Sequence, residues 1–205
     1  MIGGIMSKPE VFIIESLKFD EEEAYREGEM IARALRMSLK KPVYRYVRTK
    51  VELQHFVDEF EDSDYRYLHI SCHGSKTGIF TTLEDLSIDE FADIVGPMLE
   101  GKRLFLSTCQ ASTSRMAKAV FAKGGCTSLV GPVNRINFDD SVVLWTSFYH
   151  LMFKADAKRM KREQIKKTIS DVARLLGEEV NFYASRKGKL ATEAVLPGPT
   201  RVSTK

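Results

Sequence analysis

Two rhythms of apolar residues alternate along the chain. Val11-Phe12-Ile13-Ile14 is a short apolar run of the buried-strand kind, whereas Asp20 to Lys40 carries Ala24, Met30, Ile31, Ala34, Leu35 and Leu39 at helical spacing. Asp20 with Glu23 has the form of a capping box, and Glu21, Glu22 and Glu23 suit the positive end of a helix dipole. Pro42 to Val47 alternates as an edge strand does, and Lys50 to Phe60 reads as a second helix with Val51, Phe56, Val57 and Phe60 inward. Tyr65 to Ser71 is the third strand. The polar, turn-rich stretch from Gly74 to Asp85 is expected to lie over the sheet edge as a loop.

Further on, Ser87 to Leu99 places Ile88, Phe91, Ile94 and Val95 on one helical face, and Arg103 to Thr108 is the fourth strand. Ser112 to Lys123 is the next helix, ended by Gly124-Gly125. Thr127 to Val133 follows as a strand, Asp139 to Phe153 as an apolar helix, Ile165 to Leu176 as another, and Val180 to Ser185 as a sixth strand. This alternation predicts an α/β fold with a mostly parallel, roughly six-stranded sheet and helices on both faces, since right-handed crossovers need that layout. Chemistry then belongs at the carboxyl ends of the strands. Residues 8–188 are expected to form one domain, and residues 189–205, aperiodic and rich in Gly, Pro, Thr, Ser and Lys, a disordered tail.

Composition narrows the partners without naming one. At 205 residues and 43% hydrophobic, the chain is long enough for one substantial core, and 31 basic against 28 acidic residues argue for no dedicated nucleic-acid or membrane surface. Three cysteines without a C-x-x-C pair suggest free thiols and neither a disulfide framework nor a metal site. The opening Met1-Ile2-Gly3-Gly4-Ile5-Met6 lacks the form of a signal peptide, and no apolar run approaches about 18 residues. A soluble, cytoplasmic protein without cofactor is expected.

Chemistry concentrates at two strand ends. Tyr67-Leu68-His69-Ile70-Ser71-Cys72-His73-Gly74 and Arg103-Leu104-Phe105-Leu106-Ser107-Thr108-Cys109-Gln110 each run from an apolar strand to a reactive side chain. If the strands are parallel neighbours, the His73 imidazole meets the Cys109 thiol as base and nucleophile. A helix starting near Ser112 would place free N–H groups beyond the sulfur. Gly74 allows a sharp turn, so that its N–H and that of Cys109 make an oxyanion hole.

These residues resemble the caspase-like cysteine peptidases, and within them the CHAT group related to separase. The likeness lies in His73-Gly74 after one strand, Leu106-Ser107-Thr108-Cys109 at the end of the next, and Gly124-Gly125-Cys126-Thr127-Ser128-Leu129-Val130-Gly131 leading into the fifth. Phe148-Tyr149-His150-Leu151 resembles the aromatic pair on the following helix. The resemblance implies a caspase-like three-layer α/β/α sandwich and peptide-bond cleavage through a thioester, with His73 and Cys109 catalytic and Gly74 and Cys109 as oxyanion donors. Ser107, Asp139 and Asp140 would bind the substrate, with a basic residue before the cleaved bond. It further implies a protein or peptide substrate and an activating or sensor protein in trans. The Gln-Ala-Cys signature of caspases proper is replaced by Ser107-Thr108-Cys109, and Val133-Asn134-Arg135 stands where relatives often carry tryptophan.

Other conspicuous residues have plainer readings. Cys72 falls on the strand face opposite His73 and should be buried, and His69, well inside the sheet, should be a hydrogen-bonded core histidine. Cys126 reads as packing, His150 as a partner for a neighbouring polar group and His55 as surface. Lys154, Lys158, Arg159, Lys161, Arg162, Lys166 and Lys167 against Asp156 and Glu163 read as a solvated helix face, with an acidic partner or RNA as the alternative. No phosphate-loop motif is satisfied. The rival to an enzyme is a catalytically silent interaction module of the same fold; a flavodoxin-like receiver or nucleotide binder fits less well, since the strand ends lack its carboxylates.

Overall fold

The computed structural model describes residues 7–197. Its sheet contains β1 (Lys8–Ser16), β2 (Val43–Tyr46), β3 (Tyr65–Ser75), β6 (Arg103–Ser107), β7 (Ser128–Pro132), β8 (Val180–Arg186) and β9 (Lys189–Leu196), in the spatial order β2-β1-β3-β6-β7-β8-β9. The first five in that order are parallel; β8 and β9 are antiparallel additions at one edge. The hairpin β4 (Gly78–Phe80) and β5 (Asp85–Ser87) extends from the end of β3.

Side-chain alternation along the strands divides the interior into two layers. Phe12, Ile14, Leu68, Ile70, Leu104, Leu106 and Leu129 face α2 (Lys50–Asp62), α3 (Ile88–Val95) and α4 (Ser114–Lys123). Their neighbours Val11, Ile13, Tyr67, Phe105 and Val130 face α1 (Glu27–Met37), α5 (Phe138–Ala155) and α6 (Arg162–Leu176). Phe105 is central to the second layer, with Tyr67, Trp145, Phe148 and Tyr149 all around its ring at 5.4–6.3 Å. The result is the expected mixed α/β sandwich. None of the described helices is long and apolar enough to cross a membrane.

Several local expectations are corrected. The helix predicted from Asp20 begins only at Glu27, and Asp20 to Ala24 form turns. The acidic residues there have tertiary partners instead of a helix end: Glu22 is bound by the Arg48 guanidinium at 2.7 and 2.8 Å, and Glu21 by His73. Capping boxes are found at Thr49/Glu52 and Ser87/Glu90. Met30, Leu39 and Val51, placed inward by spacing, are exposed. The stretch from Gly74 to Asp85 contains a hairpin, and the helix predicted to Leu99 changes at Gly96 to a 3₁₀ turn beside Pro97, whose ring and missing N–H disfavour a continued α-helix. Lys189–Leu196, expected in the tail, pair with β8; the remainder of that expectation, from 198 onward, lies outside the described residues.

Replacing the fully buried Phe105 by alanine removes the ring on which the second layer packs. Phe105→Ala is expected to lower unfolding free energy by roughly 3–5 kcal/mol, whereas exposed Val51→Ala changes it by less than about 0.5 kcal/mol. Urea denaturation of both variants checks this.

Candidate active site

β3 and β6 are parallel neighbours with Ser71 opposite Ser107. Two residues further along stand His73, still within β3, and Cys109, in the turn just beyond β6. Both are partly exposed and line one small recess of about 60 Å³, with Glu27, Ser71, Ser107 and Ser141. No hydrogen bond joins imidazole and thiol among the described residues; Cys109 Sγ lies 3.8 Å from the Ile136 carbonyl oxygen, towards which its S–H points.

His73 is held from the other side. Its Nε2 lies 2.6 Å from Glu21 Oε2, and the same oxygen accepts the Lys18 N–H at 3.1 Å. Burial acts to raise the Glu21 carboxyl, yet the bonds from His73 and Lys18 outweigh it and hold the group below its ordinary value. An ionised carboxylate only accepts, so Nε2 carries a hydrogen, and a neutral imidazole held in this way has its lone pair on Nδ1. Phe138 packs edge-on against the imidazole at 5.9 Å and is itself stacked on Tyr25 at 4.7 Å.

The floor of the recess is Glu27, the first residue of α1. It is buried, and Oε1 accepts from Ser107 Oγ at 2.6 Å and Ser141 Oγ at 3.0 Å, while Oε2 accepts from Ser71 Oγ at 3.1 Å. Burial pushes this carboxyl up to about 7, with the neighbouring Glu15 charge adding to the rise and the three hydroxyls opposing it. Glu15, also buried, accepts the Gly28 N–H at 2.7 Å and the Tyr44 hydroxyl at 2.7 Å. A Cβ at Gly28 would come within 3.0–3.2 Å of Ile13 and Glu15, so any larger residue there would press α1 against β1.

The residues singled out from sequence are distributed as follows. Gly74 makes no sharp turn; β3 runs on through Ser75, and a Cβ at this position would lie tightly, at 3.1–3.3 Å, against Ala111, the Cys109 carbonyl and Thr108. The next helix starts at Ser114, and its end is capped by Thr113 Oγ1 at 3.1 Å from the Met116 nitrogen, so the helix terminus does not begin directly behind Cys109. The turn after the thiol is made by Gln110 at φ 57°, a left-handed conformation that costs a non-glycine residue roughly 1–2 kcal/mol. Ser107 is buried against Glu27. Asp139 lines a groove of about 900 Å³ together with Glu21, Glu27, Tyr25 and Phe138, whereas Asp140 is half-buried outside it.

Glu21 and Glu27 were not legible as site residues. Glu21 belongs to an acidic run that matches helix-dipole chemistry, Glu27 lies beyond it with no motif around it, and only the path of the segment between β1 and α1 brings them to the strand ends. His69 is a core histidine as expected: Nδ1 is 2.9 Å from the Tyr149 hydroxyl, and burial pushes the ring down to about 3. Cys72 and Cys126 are buried, and burial pushes the Cys126 thiol up to about 12. His55 is exposed; so is His150, for which no hydrogen-bond partner is found among the described residues. No group of three or more His, Cys, Asp or Glu among the described residues is arranged to hold a metal ion.

A solved structure of caspase-1 from Spodoptera frugiperda superposes on this chain with a TM-score of 0.53 at 14% identity, covering 93% of this chain and 87% of that one. The chain has a caspase-like fold. No protein-family model and no curated protein sequence matches it.

The raised Glu27 carboxyl makes stability depend on pH. Its folded value near 7 lies above the ordinary 4.5, so the folded state holds the proton more tightly, and stability falls as pH rises between those two values and levels off above. Glu27→Gln, which keeps the shape and removes the ionisation, is expected to raise stability at pH 8 by on the order of 2–3 kcal/mol, with the gain vanishing near pH 4. Thermal melts of both proteins across that range check the sign.

Proposed function

We propose that this chain is a cysteine peptidase in which Cys109 is the nucleophile and His73 the general base and acid. His73 Nδ1 takes the thiol proton as sulfur attacks the peptide carbonyl. The tetrahedral oxyanion is received by the N–H groups of Gly74 and Cys109, and its collapse expels the amine, which takes the proton from His73. Water then attacks the thioester, giving its proton to His73 and restoring the thiol. The observation that supports this reading above all is that the two side chains, from neighbouring parallel segments, line one recess.

Glu21 has a positioning role in this reading. By accepting from Nε2 it turns Nδ1 towards the recess and balances the imidazolium formed in the reaction, as the third member of nucleophile–base–orienter arrangements does. The adjoining groove favours a cationic substrate side chain, since its lining carries the carboxyls of Glu21 and Asp139 and no basic residue. We assign the preference for a basic residue before the cleaved bond to that groove, with Asp139 at its rim, Asp140 near it and Ser107 at the recess.

Because His73 and Cys109 are not hydrogen-bonded to each other, one alternative is a silent interaction module. Catalytic hydrogen bonds are often long in the absence of substrate, so this geometry is compatible with either reading. Cys109→Ala is expected to fold and to lose all labelling by an electrophilic peptide carrying arginine or lysine. A wild-type protein inert to such probes and to peptide libraries selects the silent module. Glu21→Gln, which removes a groove carboxylate as well as the His73 partner, is expected to lower kcat/KM roughly a hundredfold for peptides with arginine or lysine before the cleaved bond. An unchanged kcat/KM removes Glu21 from the mechanism.

A further inference from the structure

The basic run after α5 does not form one helical face. α5 ends at Ala155 and α6 begins at Arg162, and the intervening segment folds over the amino edge of the sheet. Met160 N–H donates to the Tyr67 hydroxyl at 2.9 Å, and the Arg66 guanidinium donates to the Lys158 carbonyl at 2.9 Å. Between the segment and the sheet lies a recess of about 440 Å³ lined by Arg66, Tyr67, Arg103, Arg159, Lys161 and Arg162, with no carboxylate in its lining. His73 is the seventh residue along β3 from Arg66, so this recess lies roughly 20 Å from the candidate active site, at the opposite sheet edge.

Charge balance sets this recess apart. On α6 beyond the recess, Lys166 pairs with Glu163 at 3.4 Å and Lys167 with Asp171 at 2.7 Å. Arg66, Arg103, Lys161 and Arg162 form no ion pair among the described residues, and Arg159 reaches Asp156 only at 3.7 Å. Arg103 is half-buried and bound to a neutral partner, Ser128 Oγ at 2.7 Å; burial pushes its guanidinium down, Tyr67 opposes this, and the like charge of Arg162 adds to it. Arg66 is fixed by Ser7 Oγ at 2.8 Å as well as by the Lys158 carbonyl, so its fork is held ready. α6 also begins at this recess, and its N-cap Lys161 supplies no side-chain acceptor to the first helical N–H groups.

We propose that this recess binds a small phosphate-bearing anion, with Arg66, Arg103 and Arg162 contacting its oxygens and the start of α6 completing the cradle. Guanidinium forks and helix N–H groups together match the oxygens of a diphosphate. The volume is that of a small-ligand site, and concavity with pre-fixed arginines favours a compact anion over an extended nucleic acid. The lining supplies no exposed aromatic ring on which single-stranded bases could stack, which points the same way.

Titration calorimetry of the full chain with inorganic pyrophosphate, ATP and a single-stranded RNA oligomer tests this. Pyrophosphate is expected to bind, more weakly as salt is raised, and the surface variant Arg159→Glu/Arg162→Glu to weaken it at least tenfold. Circular dichroism verifies that this variant is folded, and Arg66→Gln is expected to give a similar loss without reversing charge. ATP binding tighter than pyrophosphate assigns a nucleotide as the source, and equal binding assigns the free anion. No pyrophosphate binding, binding unchanged in the variants, or binding of RNA alone overturns the proposal. Because these outcomes are independent of peptide cleavage, they leave the cysteine-peptidase reading standing or falling on its own.

Discussion

The parallel pairing of β3 with β6, from Tyr67 opposite Arg103 to Ser71 opposite Ser107, is the constraint on which both ends of the molecule depend. With that register and a side-chain period of two, Leu68, Ile70, Leu104 and Leu106 enter one core layer, and Tyr67, His69, Phe105 and Ser107 enter the other. The carboxyl end of the pair then presents His73 and Cys109 on one side, and its amino end presents Arg66 and Arg103 beside Tyr67. A slip of one residue in either strand would send the candidate thiol and imidazole to opposite layers. The large apolar investment in the middle of these strands, Phe105 above all, is what makes such a slip expensive.

The carboxyl edge combines this apolar certainty with polar groups that oppose folding. Glu15 and Glu27 are both buried, and burial raises both. Serine hydroxyls from β3, β6 and α5 converge on Glu27, so three elements are tied to the start of α1 at one carboxyl. A buried ionisable group is costly even when fully hydrogen-bonded, and apolar packing would stabilise the fold more. Glu21, a few residues earlier, has the contrary environment: at the surface end of the same segment it is held ionised by His73 and Lys18. The segment between β1 and α1 thus delivers two carboxyls of opposite character to one groove, with Glu27 also reaching the recess beside it.

The amino edge uses the same strands for different chemistry. There the unmatched charges are cationic and are held by neutral partners, Ser7, Ser128 and backbone carbonyls. Hydrogen bonds to neutral acceptors fix the direction of a guanidinium without neutralising it, which leaves the field of the recess positive. The acidic groove beside Cys109 and the basic recess beside Arg103 therefore give this nearly neutral chain two local surfaces of opposite sign, a polarity that net charge averages away.

The sequence alone determined the strand–helix alternation, most of the apolar positions that enter the core and the pairing of His73 with Cys109 as a candidate site. All three follow from periods of 2 and 3.6 residues and from the residues that end apolar runs, which are local properties. Tertiary structure decided what no local pattern encodes. The acidic run Glu21 to Glu23 looked like a helix start because dipole chemistry and ion pairing select the same residue types, and only the fold offered Arg48 and His73 as partners. Lys189–Leu196 became a strand because β8 exposes an edge to pair with, although its own alternation is weak. The basic run became a recess for the same reason: where a charge points depends on the chain path between elements, and that path is set by packing at a distance.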